Sequence, residues 1–298
     1  MKMRNKKHEL YYHAMILPGM MLLFIFSIIP MFGIIMAFQK FTPVKGMIGS
    51  PFVGLDNFKL LLMYPDVRQV IGNTVIIAIA KIILGIIVPV FFAILLNEIR
   101  TIWLKRTIQT VVYLPYFLSW VILAVMFSNI FSYTGMANKI IELSGGEPIM
   151  FMINNKWFRT IIITTDIWKG FGYSSVIYIA AMTNIDLNIY EAADIDGANR
   201  WQKIIYITLP SITPIIVLMA TLALGNVLNA GFEQIFTMYS PLVYQTGDII
   251  DTYVYRMGLE KMQYSFATAV GLSKSLVSFI LIVISYKLAD KYAGYSIF

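Results

Sequence analysis

Residues 74–96 read TVIIAIAKIILGIIVPVFFAILL, a run in which Lys81 is the one charged residue. A hydrocarbon core roughly 30 Å thick takes about 20 helical residues to cross, so the stretch from about 72 to 96 is long enough to span a bilayer. Outward from it the chain repeats the pattern, with apolar stretches at about 14 to 38, 108 to 131, 160 to 183, 210 to 230 and 266 to 288. With 58% hydrophobic residues, 13% charged and a mean hydropathy of +0.73, the chain has too little polar surface to clothe a water-soluble globule of 298 residues. The reading is an all-α membrane protein of about six transmembrane helices. It is one domain over 1–298, with a core at about 72–288 and an N-terminal span and first outer loop at 1–71.

The first span follows Lys2, Arg4, Lys6 and Lys7 as a signal peptide would, but its apolar run is too long for one and no small-residue cleavage pattern follows, so it is expected to stay as an anchor. Pro18, Pro30 and Pro89 lie in or near spans, where kinks are expected and breaks are not. Orientation follows from basic residues. With the N-terminus inside, the inner segments hold those four together with Arg100, Lys105, Arg106, Arg200, Lys203, Lys287 and Lys291, denser than the basic residues of the outer loops. Both termini are therefore expected in the cytoplasm, and the segment 184–209 with them. The net charge of +7 is spread over short loops and forms no stripe interleaved with aromatics, which argues against nucleic acid. With no cysteine, the chain has no disulfide, thiolate metal site or thiol nucleophile.

The segment 184–209 runs from Asn184 through Asp186, Tyr190-Glu191-Ala192-Ala193, Asp194-Ile195-Asp196-Gly197-Ala198, Arg200-Trp201 and Lys203 to Ile207-Thr208-Leu209, with Pro210 following. It reads as two short helices. Asp186 caps the first, Gly197 supplies the left-handed turn that ends it, and Pro210 marks the junction with the next span. Ala198, Trp201, Ile205 and Leu209 give the second helix an apolar face, away from Arg200 and Lys203. A helix lying on lipid headgroups would suit Trp201 and the basic residues. A helix pair that packs against another protein would suit the apolar face.

Glu191-Ala192-Ala193, three residues, Gly197, nine residues and Ile207-Thr208-Leu209-Pro210 resemble the signature EAA loop of permeases in binding-protein-dependent ABC importers. The resemblance implies a coupling helix that sits in a cleft of an ATP-binding subunit, with Glu191, Ala192, Ala193, Asp196, Gly197, Ile207, Leu209 and Pro210 as the coupling residues. It extends along nearly the whole chain. Pro51-Phe52-Val53-Gly54-Leu55-Asp56-Asn57-Phe58, Asn73-Thr74 and the Asp194–Ala198 core are similar to the carbohydrate-uptake branch, of the maltose and glycerol-3-phosphate permease type. Gly231–Phe236, Pro241–Tyr244 and Ile250–Arg256 are similar to its polysaccharide-fragment subgroup. The resemblance implies import of an oligosaccharide across the bacterial cytoplasmic membrane by alternating access. It implies as partners a second permease subunit that is a different chain, two ATP-binding subunits and an extracellular substrate-binding protein. The outer loops, about 39 to 71, 132 to 159 and 231 to 265, are expected to dock that protein.

No phosphate-binding G-x-x-x-x-G-K-[ST] loop is present, so ATP and its Mg belong to a partner and this chain is expected to carry no cofactor, no metal and no catalytic residue. His8 and His13 are five apart and do not share a helix face as a zinc pair would. Gly145-Gly146 has no following Lys and reads as a turn. For the substrate path the candidates are Trp168 and Tyr173 in the fourth span, with Asn226, Asn229 and Glu233 near the outer end of the fifth. Sugar hydroxyls suit amides and sugar ring faces suit aromatics. Helix-to-helix bonding in the bundle is the alternative for the Asn pair. Lys81, Lys169 and Lys274 each lie about 14 Å from the outer end of their spans, where a lysine facing lipid would cost about 2.5 to 3.5 kcal/mol. They are expected either to form a cationic layer for a carboxylated sugar or to bond helix-end carbonyls and polar neighbours. Asp166, three residues before Lys169 on the same helix face, is expected to neutralise one of the three and leave about two positive charges in excess. A transferase would need clustered acids or histidines that the sequence lacks. Import of a polyol or a phosphodiester is the remaining rival.

Overall fold

The computed structural model describes residues 6–293. Lys2 and Arg4, and the side chains of Lys6, Lys7, His8 and Lys291, lie outside the described residues. Among the described residues the architecture is helical, with one isolated β-bridge between Gln39 and Phe52. The long elements are α1 (Tyr11–Phe38), α2 (Pro65–Asn97), α3 (Ile102–Phe117), α4 (Trp120–Ile130), α5 (Asn155–Thr183), α6 (Leu187–Ile195), α7 (Arg200–Gly225) and α8 (Tyr264–Ala293). The helices α1, α2, α7 and α8 through Lys287 are long and apolar enough to cross a membrane. The bent pair α3 and α4 makes a fifth crossing if it is one span. The sixth expected crossing, α5, is 29 residues long but carries Lys156, Arg159, Asp166 and Lys169, and this polarity sets it apart from the others.

Two of the expected spans differ in shape. The stretch 108–131 is not one helix, because α3 and α4 meet at 102°. Pro115 lacks the N–H that would continue the helix, the chain tightens over Leu114–Phe117, and Leu118 and Ser119 are extended. The Ser119 hydroxyl then accepts from the Ile122 N–H and starts α4. The stretch 210–230 also shifts. The second short helix of the 184–209 segment runs straight on into the span as α7, which stops at Gly225, and 226–230 form a turn outside any helix. Pro210 therefore sits inside α7 and marks no junction. The wide turn Ile204–Thr208 precedes Pro210 as Phe24–Ile28 precedes Pro30, so the carbonyl four residues before each proline falls in a loosened turn. Kinking is absorbed there without a break.

Contacts divide the chain into two units, one of Met1–Tyr64 with Val254–Leu272 and one of Pro65–Tyr253 with Ser273–Phe298. In the first, α1 exposes nearly all of its apolar side chains. The turn after it is held by Asn57, whose Nδ2 donates to the carbonyls of Ala37 (2.8 Å) and Gln39 (3.0 Å). In the same unit the Phe41 N–H donates to the Ser265 hydroxyl at 2.8 Å.

The second unit is built on α2 against α5, with two apolar clusters at different levels. Ile77, Ala78, Leu123, Phe127, Phe158, Ile162 and Ile235 belong to one, and Val90, Ala93, Ile94, Tyr178, Met182 and Ile212 to the other. Gly172 lets α3 approach α5 closely, since a Cβ there would stand 2.5 Å from the Val112 carbonyl oxygen. Side-chain amides order the connections. Asn138 is fully buried and bonds Ser132 O, Ile149 O and the Ile149 N–H at 2.7 to 2.9 Å. Asn73 donates to Asp248 O at 3.1 Å and accepts from Arg159 at 2.8 Å, and the Thr74 hydroxyl accepts from the Ile250 N–H at 2.9 Å.

Candidate functional site

Between the two apolar clusters, α2, α5 and α7 with the turn after it line an open cavity of about 380 Å³, within the size range of small-molecule sites. Four of the expected path residues, Lys81, Asp166, Asn226 and Asn229, line it, together with Ser174 and Tyr178. Lys81 is the central residue of the 33-residue α2. Its Nζ donates to Ala230 O at 2.8 Å and Gln234 Oε1 at 2.5 Å, and lies 3.3 Å from Asp166 Oδ1. Gln234 is fully buried in the short helix Phe232–Met238, and its Nε2 donates to Ile162 O at 2.7 Å and Thr165 Oγ1 at 2.9 Å. That one amide ties α2, α5 and the turn after α7 together. Gly231, at φ +95°, leaves room for the ammonium, since a Cβ there would stand 2.9 Å from Lys81 Nζ.

The other expected path residues do not line this cavity. Lys169 Nζ donates to Leu118 O at 2.8 Å and sits 4.9 Å over the Trp120 ring. It thus satisfies the carbonyl freed at the α3–α4 break. Trp168 packs edge-on against Phe127 at 5.5 Å, and Tyr173 stacks on Tyr116 at 4.0 Å. Glu233 is exposed on the short helix beside Gln234. Lys274 pairs with Asp251 at 2.5 Å.

The three lysines therefore do not face one cavity, and the one that Asp166 neutralises is Lys81. Two of the three have carboxylate partners, which leaves an excess of one charge instead of two. The reason is tertiary. The broken backbone at Leu118 needs a donor where Lys169 reaches, and Asp166 faces the neighbouring helix. Gln234 and Asp251 were not singled out in the sequence as partners of these lysines. A lone amide or carboxylate in a connecting segment carries no spacing signal.

The second site is the segment 184–209. The Asp186 side chain accepts from the Asn188 N–H at 2.9 Å and opens α6. Gly197 ends it at φ +75°, with the Ala198 N–H bonded to Ala193 O at 2.9 Å. Asn199 and Gln202 then cap α7 reciprocally, at 2.7 and 3.0 Å. The two helices are tied by the Tyr190–Thr208 hydroxyl bond at 2.8 Å and by the Lys203–Asp194 ion pair. Ile204 and Leu209 pack on the apolar cluster of Val90 and Tyr178, so α7 is anchored in the bundle. Ile207 is half-buried beside them, and Pro210 is exposed. Of the expected coupling residues in α6 and its turn, Glu191, Ala192, Asp196 and Gly197 are exposed and Ala193 is half-buried. Apolar side chains are exposed beside them, Leu187 at 72% and Ile195 at 87%, as are Trp201 and Ile205 at the start of α7. The arrangement is a short helix, stiffly joined to a long one, presenting apolar surface that nothing among the described residues covers.

Residues 85–293 match the family described as binding-protein-dependent transport system inner membrane component. The chain is 38% identical to the polygalacturonan/rhamnogalacturonan transport system permease protein YteP of Bacillus subtilis over 97% of this chain and 90% of that one. It is also 38% identical to protein LplB of the same organism, over 96% and 90%. Among solved structures, a chain of a bacterial alginate ABC transporter in complex with an alginate pentasaccharide-bound periplasmic protein superposes with a TM-score of 0.89. The two are 33% identical, over 98% of both chains.

Proposed function

Because this chain belongs to the family of binding-protein-dependent transport system inner membrane components, and is a permease subunit of an importer of that kind, we propose that it passes an oligosaccharide through the membrane, driven by ATP hydrolysis on a separate subunit. The observation that carries the reading is α6. It exposes Leu187 and Ile195 at the end of a lever that Tyr190, Asp194, Lys203 and Thr208 lock onto α7. Closure of two ATP-binding subunits does work on a membrane helix only if a rigid knob joined to that helix is gripped. α6 is such a knob, and the higher density of basic residues in the inner segments supports a cytoplasmic position for it. A second permease subunit completes the path, and a substrate-binding protein delivers the cargo to the opposite face. There the segment 231–250, ordered by Asn73, Arg159 and Asn155, belongs to the docking surface.

Similar proteins are named for polygalacturonan, rhamnogalacturonan and alginate, which makes a uronate-bearing oligosaccharide the expected cargo. The test is ATP hydrolysis by the purified complex, with its cognate binding protein, across a panel of saccharides, polyols and phosphodiesters. Stimulation by oligosaccharides, uronates foremost, is the expected result. Stimulation by a polyol or phosphodiester alone overturns the reading.

A further inference from the structure

We propose that Lys81 receives a carboxylate of the passing sugar by exchange with Asp166, so that this pair sets the preference of the path for acidic over uncharged saccharides. The inference rests on the oligosaccharide reading above and assigns the residue that senses charge within it.

An ammonium has three N–H donors. Two of those on Lys81 are committed to neutral acceptors that cannot move away. Ala230 O is 2.8 Å distant in a fully buried residue, and Gln234 Oε1 is 2.5 Å distant on an amide pinned from its other end by Ile162 and Thr165. These bonds fix the ammonium at the cavity wall without neutralising it. The third direction faces Asp166 at 3.3 Å, longer than the roughly 2.7 to 2.9 Å of a well-made ammonium–carboxylate bond. The Asp166 side chain is 33% exposed whereas that of Lys81 is 10% exposed. The carboxylate is the loose member of the pair, the lysine the fixed one, and both line the cavity.

A sugar carboxylate entering the cavity offers Lys81 the same charge in the same direction, with freedom to approach more closely. Asp166 turns into the cavity as it is displaced. Its nearby charge opposes the incoming anion, so the exchange gives transient capture. A path that must release its cargo needs transient capture, whereas a site holding two free lysines would retain an anion. An uncharged sugar gains nothing from displacing Asp166 and passes with the pair intact. Gly231 belongs to the device, because any Cβ there would push the ammonium from its place.

The test uses the complete complex in proteoliposomes, with uptake measured for a uronate oligosaccharide and for its uncharged methyl ester. The same binding protein serves every variant, so a change in the acid-to-ester ratio between variants reports on the permease. Asp166→Asn keeps an acceptor of the same shape but removes the competing charge, and the ratio is expected to rise severalfold. Lys81→Met is expected to lower it about tenfold, the change that one strong charge-assisted contact makes, and Lys81→Arg to restore part of that loss. If Lys81→Met does not assemble, Asp166→Asn and Lys81→Arg decide. An acid-to-ester ratio unmoved in Asp166→Asn, with both substrates lowered equally by Lys81 variants, overturns the exchange and leaves the pair a tie between helices. A wild-type complex that moves no saccharide at all overturns the oligosaccharide reading instead.

Discussion

Gly197 is where the coupling account is most exposed to experiment, because its conformation and its surroundings point to a single cause. Its φ is +75°, and a Cβ added there would meet nothing within 4 Å among the described residues. A substitution is therefore felt through the backbone alone unless a partner protein closes over the residue. Holding an L-residue in the left-handed region costs about 1 to 2 kcal/mol, less for Asn, and more for a β-branched residue. If the turn must be formed for α6 to be gripped, 1 to 2 kcal/mol reduces the competent population by roughly 5- to 30-fold. The expected order of ATP-driven uptake is wild type, then Gly197→Asn, then Gly197→Ala, then Gly197→Val. Basal ATP hydrolysis and the amount of assembled complex should change little. Uptake and stimulated hydrolysis in proteoliposomes, normalised to assembled complex, measure this. If Gly197→Asn is as damaging as Gly197→Val, close contact with the partner and not backbone geometry is the reason for the glycine. Normal uptake in Gly197→Val refutes the coupling role of the turn.

Four further outcomes are expected. Glu191→Lys reverses an exposed charge beside the apolar surface of α6, and should abolish stimulated ATP hydrolysis while leaving the subunit folded, as judged by its melting temperature. Gly172→Ala drives a methyl group to within 2.5 Å of the Val112 carbonyl, and should destabilise the protein by about 1 to 3 kcal/mol, read as a lower thermal midpoint in detergent. Asn138→Ala strips bonds from Ser132 and Ile149. It should open the segment 132–149 to limited proteolysis at a cost of about 1 to 3 kcal/mol, with the rest of the chain protected. Lys274→Met leaves Asp251 without its cation and should cost up to about 3 kcal/mol. Adding Asp251→Asn should recover most of the melting temperature, and failure to recover it would show that Lys274 has a second task.

The apolar helices α1, α2, α7 and α8 were legible because runs of apolar residues longer than about 20 have few structural explanations. The break between α3 and α4 was not, because hydropathy records composition and Pro115 lies within an apolar stretch whether or not the chain turns. Gly197 and the Asp186 cap could be read because a left-handed turn and an N-terminal oxygen each call for particular residue types at one position. Partners of the intramembrane lysines could not. Asp166 and Lys169 share a helix face, so spacing pairs them, yet Asp166 faces Lys81 across the helix pair and Lys169 is drawn to the open carbonyl of Leu118. Gln234 holds three helical segments together from a connecting stretch whose sequence shows no periodicity. Local chemistry is written locally, whereas pairing across the bundle exists only once the helices have packed.

Whether α6 is the part of this chain that an ATP-hydrolysing subunit grips can be tested by placing a single thiol, because the sequence has no native cysteine. Ala192→Cys in the assembled complex, treated with a short thiol-directed crosslinker, should give an adduct with the mass of this chain plus one ATP-binding subunit. Val44→Cys, fully exposed in the connection after α1, should give none. An adduct of Val44→Cys with an ATP-binding subunit, or none from Ala192→Cys in a complex that still hydrolyses ATP, would contradict the account.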